Sequence, residues 1–585
     1  SRDDVTNPGG YDAVNRYGDE DWWDDGGDTK TFPGLGRFYR PGIEEKHLVD
    51  YNTENIKLTT ALHYKIKEDL TAIYAINFGS GTTVYQGDNR YSLKDILFLQ
   101  NRVELQKKDK WFWRAYSTHE DAGNSYDAYF TALRMQDSVV SNQSYNLYYT
   151  GLWNIFNKPK VRAMPGAPAN SLPMSQYQSI MDSLIASNPD FFNQLHEDNR
   201  NNVSIATASD ALGAVTIEEL ESFANQLIPG TSEFNNLKNH ITSTLFTEGG
   251  SRFYDKSALY HTQGERTFTY DNGAVFRVGG NFRLYTPKSA GTIFSDTAGT
   301  VITNREAGLY GGWEQSFMDE RLKLSATGRV DKNQNFRALV SPAVSSVYKA
   351  TENQTFRLSF SSAIRNPTLA DQYLNYNVGR AVLLGNLDGF DSLVTIDNIA
   401  DYLGKPANER LSHDFGYFNV DAIRPEKVKT AEAGYRATIG SRVFVDANYY
   451  YSLYDDFIGY IIGAEIEEGT TAIDRLKSLQ VYRVAANATE QVTTQGFSIG
   501  MNTFLGNYQT LTGNYSWNKL TSAVSDPIVP AFNTPEHKFN LGWNIRNYPW
   551  NQDDSKLIGA GVNYKWVQGF VFEGSPQFTG SIPSY

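Results

Sequence analysis

The 585-residue sequence contains no cysteine, which excludes disulfides, thiolate metal sites and cysteine nucleophiles together. It has no run approaching the ~18 consecutive apolar residues that a membrane-spanning helix requires. It has no Lys/Arg-rich block, and its 53 basic residues against 66 acidic ones leave a net charge of −13, so a nucleic-acid partner has no electrostatic footprint. The sequence opens at Ser1-Arg2-Asp3-Asp4 without a recognisable signal peptide, so either removal of a leader or a longer parent polypeptide is expected. What it has in quantity is rings: 10 Trp, 37 Tyr and 33 Phe, at a mean hydropathy of only −0.47. Aromatic abundance without apolar runs leaves a membrane barrel open, because there only alternate residues face lipid.

Alternation takes the place of long apolar runs. From Ala274 to Tyr285, Phe276, Val278, Gly280, Phe282 and Leu284 share one face, and Arg277, Gly279, Asn281 and Arg283 the other. The same period recurs in pairs of segments joined by tight polar turns, at Glu68-Asp69, Asp319-Glu320, Gly440-Ser441 and Gly506-Asn507. Long segments rich in Asn, Asp, Gly and Ser separate the pairs. Short turns at one rim and long loops at the other predict an all-β fold, an antiparallel transmembrane barrel wall of roughly fourteen to eighteen strands.

One region changes period. Tyr177, Ile180, Met181, Leu184 and Ile185 repeat at helical spacing behind a Ser175/Gln178 capping box; Thr216 and Glu219 open a second helix that ends at Pro229-Gly230; Phe234, Leu237 and Ile241 suggest a third. Residues 172–247 are therefore expected to form a helical insertion in one long loop of a barrel that otherwise occupies 1–585.

Two longer stretches carry a family resemblance. FRLSFSSAIRNP at 356–367, followed by DQYLN at 371–375 and LLG at 383–385, resembles a barrel strand ending in an FRNP turn; RPEKV at 424–428, EAGY at 432–435 and YYYSLYDDF at 449–457 resemble one hairpin of the same family. RAYSTHEDAG at 114–123 and NTPEHK at 533–538 also fit. The chain is thus similar to the barrel of TonB-dependent outer-membrane receptors of the kind found in Bacteroidota. That resemblance implies location in the outer membrane of a Gram-negative cell, contact with its lipid, and uptake of a scarce nutrient (siderophore, oligosaccharide or peptide) driven through TonB, with a SusD-like surface lipoprotein as a further partner. It implies no bond chemistry. Such barrels have twenty-two strands, an N-terminal plug and a TonB box. Neither plug nor box is recognisable, and Ser581 to Tyr585, containing Pro583, reads as a loop, so the sequence is expected to be a barrel portion without plug or C-terminal strands. Two alternatives stand beside transport: a receptor-like scaffold subunit of a larger outer-membrane complex, and a soluble β protein binding polysaccharide, in which the apolar faces would pack against a second layer.

Several residues could carry chemistry. Gly496-Phe497-Ser498-Ile499-Gly500 matches a nucleophile elbow, but lies within an alternating run and reads as strand. The triplets His119-Glu120-Asp121 and His196-Glu197-Asp198 lack the spacing of a zinc helix and read as solvated polar residues. Five Asp and one Glu crowd Asp19 to Asp28 around Trp22 and Trp23; this acidic loop could wrap calcium, the one cofactor suggested, although EF-hand spacing is absent. Arg277, Arg283, Arg329, Arg357 and Arg365 fall on polar strand faces, where guanidinium forks can pair with carboxylates or grip an anionic or polyhydroxylated ligand. Trp111, Trp113, Tyr449, Tyr450, Tyr451, Trp543 and Trp550 sit near strand ends and read as an interfacial girdle. The ligand-contact candidates are Trp22, Trp23, Arg277, Arg283, Arg357 and Arg365.

Overall fold

The structure, a computed structural model, describes residues 15–19, 22–23, 30–212, 226–297, 299–405, 413–466, 479–521, 528, 532–550, 553–573 and 579–585. The chain divides into two units: Ser1–Lys57 with Phe78–Phe98 and Glu120–Lys256, and Leu58–Asn77 with Leu99–His119 and Ser257–Tyr585.

Sixteen long strands make up nearly all of one seventeen-stranded sheet. In chain order they are β1 Glu54–Lys67, β2 Leu70–Gln86, β3 Arg90–Lys107, β4 Trp111–Asp121, β5 Ala258–Thr269, β6 Val275–Thr286, β7 Asn304–Phe317, β8 Leu322–Asn333, β9 Leu339–Thr351, β10 Gln354–Arg365, β11 Glu426–Ile439, β12 Val443–Asp455, β13 Val492–Leu505, β14 Gln509–Thr521, β15 His537–Trp550 and β16 Asp553–Val567. From β4 to β16 each strand pairs antiparallel with the next, with register shifts after Lys349 in β9 and between Ile545 and Trp550 in β15.

The expected turns are where the strands reverse. Gly440 and Ser441 both take positive φ, 55° and 57°, within the three-residue turn from Gly440 to Arg442 that joins β11 to β12, a left-handed backbone that follows the twist of the strands. Register then decides what each face carries. Leu309 lies opposite Val330, and Val330 opposite Val340; these three are 72%, 45% and 65% exposed. An apolar row crosses three strands with no second layer over it. This overturns the soluble-sandwich alternative, in which such rows would be hidden. A one-residue slip would turn every one of these side chains to the opposite face. There the side chains are polar and cross-linked, as in the Ser325–Ser345 and Thr430–Ser452 hydroxyl pairs at 2.7 and 2.9 Å.

The same alternation corrects one expectation. Tyr449 and Tyr451 are exposed with the apolar rows, but Tyr450 points to the polar face and donates to Asn518 Oδ1 at 3.0 Å. Three consecutive tyrosines cannot share one face of a strand. The elbow-like Ser498 lies inside β13, paired through its side chain with Asn448.

The long loops are more structured than their polar composition suggests. Asn375–Asn377, Val382–Leu384, Ile458–Glu465 and Gln480–Asn487 form a separate four-stranded sheet. Val394, Ile399, Tyr402, Phe415 and Ala464 pack as a small core beside it. At the C-terminal end, Thr579–Ile582 pairs with Phe570–Glu573, so Ser581 and Ile582 of the segment expected as loop are strand, and the rest, from Pro583, which lacks an N–H, is loop as expected.

Helices begin well before residue 172. In the first unit α1 Ala128–Val139, α2 Asn142–Leu152, α3 Met174–Ser187, α4 Pro189–Leu212 and α5 Ser232–Ser243 are formed. Asp127, Ser141 and Thr231 cap α1, α2 and α5 through their side chains. The Ser175/Gln178 box does not form, because α3 starts two residues earlier, with Pro173 as its N-cap, and Ser175 lies inside the first turn. The helix expected from Thr216 lies mostly outside the described residues. Phe38 stacks on Tyr149 at 4.0 Å in a core shared with Tyr145, Trp153, Tyr177 and Phe192. His196 joins that core at 1% exposure and meets the Tyr149 hydroxyl through Nδ1 at 2.8 Å. It is not the solvated residue expected; on α4 it shares a face with Phe192 and Asn199, which turns inward.

Candidate functional site

The polar face of the wall is densest at the long-loop end of β6, β7, β8 and β10. Arg329 and Asp331 stand two apart on β8 and so on one face. The guanidinium forks onto its neighbour, Nε to Oδ2 at 2.7 Å and Nη2 to Oδ1 at 2.6 Å, and reaches Asn281 Oδ1 on β6 at 2.6 Å. Gly308 on the intervening β7 makes this reach feasible: a Cβ there would stand 2.1 Å from Arg329 Nη2.

Glu306 is the second node. Its carboxylate accepts from Asn366 Nδ2 at 3.0 Å and Asn333 Nδ2 at 3.1 Å, and lies 3.5 Å from Arg283 Nη1. Asn304 continues the chain to Gln372 Oε1 at 3.0 Å, and Gln372 Nε2 donates to the Pro367 carbonyl at 2.7 Å. Gln372 sits on the short helix Leu369–Tyr373, fixed by a Thr368/Asp371 capping box. Together these groups line a cavity of about 650 Å³. It offers guanidinium, amide and carboxylate groups side by side, a set suited to a polyhydroxylated or charged ligand rather than to bond-making chemistry.

The two sequence motifs meet at the same rim. Arg365, from the FRNP turn, lies 3.6 Å from Glu426 of RPEK, and Glu426 Oε2 also accepts from the Ile458 N–H at 2.9 Å. Arg424 and Lys427 each hold Asp456 at 3.0 Å. Burial alone would raise the Asp456 carboxyl, but these two cations keep it below the ordinary carboxylate range. The spacing in each motif is thus that of a clamp on the loops between β10 and β11 and after β12.

The remaining candidates are distributed. Arg277 is 3.8 Å from Glu314, and Arg357 2.5 Å from Asp446, which Arg436 shares at 2.6 Å; both lie toward the short-turn end. Gly434 leaves space for Arg357, since a Cβ there would come within 2.8 Å of its Nε. Arg283 and Arg365 are therefore at the loop rim and Arg277 and Arg357 are not. Trp22 and Trp23 pair by backbone with Tyr39 and Phe38 in the other unit. Of the acidic loop, Asp19 is fully buried, and its other carboxylates lie outside the described residues. Among the described residues no group of three or more His, Asp or Glu gathers as a metal site. The sequence reading missed Glu306 and Asp331; Asn281 was placed on the polar face of its strand, and Asn366 and Gln372 lay within the quoted motifs, but none of the three was singled out for ligand contact.

A family model described as TonB dependent receptor-like, beta-barrel matches residues 176–585. The chain belongs to the TonB-dependent receptor family. It is an outer-membrane barrel chain, and the exposed apolar rows are the face such a barrel turns to lipid. No curated protein matches this receptor in sequence. Among solved structures it is similar to the siderophore receptor PirA from Pseudomonas aeruginosa, at 9% identity and a TM-score of 0.44 over 89% of this chain and 65% of that one. It is similar also to the FrpB iron transporter from Neisseria meningitidis, at 10% identity and 0.47 over 91% and 63%, and to a mutant of the ferric enterobactin receptor PfeA from Pseudomonas aeruginosa, at 10% and 0.49 over 91% and 61%. This receptor chain therefore spans less than two thirds of the length of those structures.

Proposed function

We propose that the chain forms the barrel wall of an active importer that takes a polar, scarce nutrient at the long-loop rim and passes it inward with energy delivered through TonB. The observation that carries this reading is the rim cavity, with Arg283, Arg329 and Asn366 around it, on a wall whose family match runs through 176–585. Arg283 and Arg365 are assigned to ligand contact; Arg277 and Arg357 to bracing the wall. Siderophore, oligosaccharide and peptide ligands all present the hydroxyl or carboxylate groups that forked donors recognise. Uptake by a deletion strain, complemented with the native chain or with Gly308→Ala, tests it. The glycine variant should reach the outer membrane in normal amounts yet import several-fold more slowly, because its Cβ displaces Arg329. Uptake that persists without TonB would reject the proposal.

A second reading, a receptor-like subunit of an outer-membrane complex holding a SusD-like lipoprotein, is favoured by Leu147, Ile155 and Phe156, apolar yet exposed on the helical unit. A lipoprotein co-purifying in equal amount with the native chain and lost with Ile155→Glu would support it.

A further inference from the structure

The helical unit contains a cavity of about 720 Å³ that the transport reading does not use. Among the described residues, Arg16, Arg40, Lys46 and Arg200 line it against a single carboxylate, Glu44. Glu44 is already shared, by Arg16 Nη2 at 2.7 Å and by Lys46. Arg40 donates to Asn142 Oδ1 at 2.7 Å and to the Gln136 carbonyl at 3.0 Å, which fixes its guanidinium over the Tyr145 ring at 5.1 Å.

Two donors are left over. Tyr145 is only 6% exposed and its hydroxyl has no hydrogen-bond partner. Arg200 Nη1 is also buried without one, and no carboxylate of the described residues lies within ion-pairing distance of Arg200. Buried donors of this kind are rarely left unmet in folded proteins. Both border the cavity, and both call for an acceptor. Because Glu44 is already shared and Arg200 has no carboxylate of its own among the lining residues, a negatively charged acceptor is the better match than a carbonyl. The lining also includes the aliphatic side chains Val139, Val140, Val203 and Ile228, and the volume exceeds what a bare oxyanion would fill.

We propose that this cavity is a binding site for an organic oxyanion, a phosphate or carboxylate group on an apolar body, with Arg200 and Tyr145 as the recognising donors and the valines holding the body. It is independent of whether the wall transports. Phenyl phosphate, inorganic phosphate and benzyl alcohol serve as probes, titrated calorimetrically into the full chain in detergent. Phenyl phosphate should bind saturably, inorganic phosphate more weakly and benzyl alcohol not at all. Arg200→Gln should weaken phenyl phosphate at least tenfold. Tyr145→Phe, which removes only the hydroxyl and keeps the ring in its core, should weaken it several-fold and covers the case in which the arginine variant does not fold. Lys323→Gln, a wall cation far along the sequence, should leave it unchanged. Absence of saturable binding by the native chain would mean that water satisfies the two donors, and would overturn the proposal. Equal affinity for benzyl alcohol, or native affinity in both cavity variants, would overturn it as well.

Discussion

His196 shows how a side chain on an exposed-looking helix becomes a stability switch. Burial pushes its imidazole down to about 3, and the neighbouring Arg200 charge acts in the same direction. An unfolded histidine titrates near 6.5, so between that pH and about 3 the unfolded helical unit binds the proton that the folded one refuses. The stabilisation is complete above about pH 6.5 and falls as pH drops, by at most about 1.4 kcal/mol per pH unit. Amide protection factors in α4 should therefore decrease from pH 7 to pH 5, and His196→Gln should flatten that dependence. Nothing in the local sequence announced this, because the Glu197 and Asp198 that follow it do face solvent. Burial of the imidazole is decided by Tyr149 and Trp153, more than forty residues earlier.

At the scale of elements, strands were far more legible than loops. A period of two is a local property, so the β6 faces could be assigned from twelve consecutive residues, and the coordinates place Phe282 outward at 43% exposure. Leu309→Arg, on the same apolar face at the middle of the adjoining β7, should cost about 2–4 kcal/mol near the membrane midplane and reduce folded barrel in outer membranes. Thr327→Arg, on the polar face of β8, should leave the yield near native. Equal yields would mean that the faces are misassigned. The loop sheet was illegible for the opposite reason: its strands are three to eight residues long and pair across nearly a hundred residues, as Val382–Leu384 does with Gln480–Asn487. The rim network was half legible. Arg283 and Arg365 were visible as cations on polar faces, whereas their partners Glu306 and Glu426 became meaningful only once register set them opposite. Glu426→Ala should release both the Arg365 guanidinium and the Ile458 N–H, and limited proteolysis should then cut between 366 and 425 sooner than in the native chain.

For the whole molecule, composition excluded more than it established: no thiol chemistry, no spanning helix, no nucleic-acid footprint. The positive statement came from alternation, and it extends to handling. A chain with uncovered apolar rows along one side of its wall requires detergent or lipid. The purified chain should migrate differently on a gel before and after boiling, and should precipitate when detergent is withdrawn. Migration unaffected by heat, together with solubility in plain buffer, would contradict the outer-membrane assignment.

The arginine ladder has a mechanical corollary. Arg277, Arg283, Arg329, Arg357 and Arg365 are each tied to a carboxylate of the same or an adjoining strand or, for Arg357, of a strand two away, and all but the Arg329 tie cross between strands that cannot slide without exchanging their whole register. On the import reading proposed above, such a frame acts as the rigid casing of a valve: what gates passage is a separate piece seated against it, and the casing holds its form while that piece shifts.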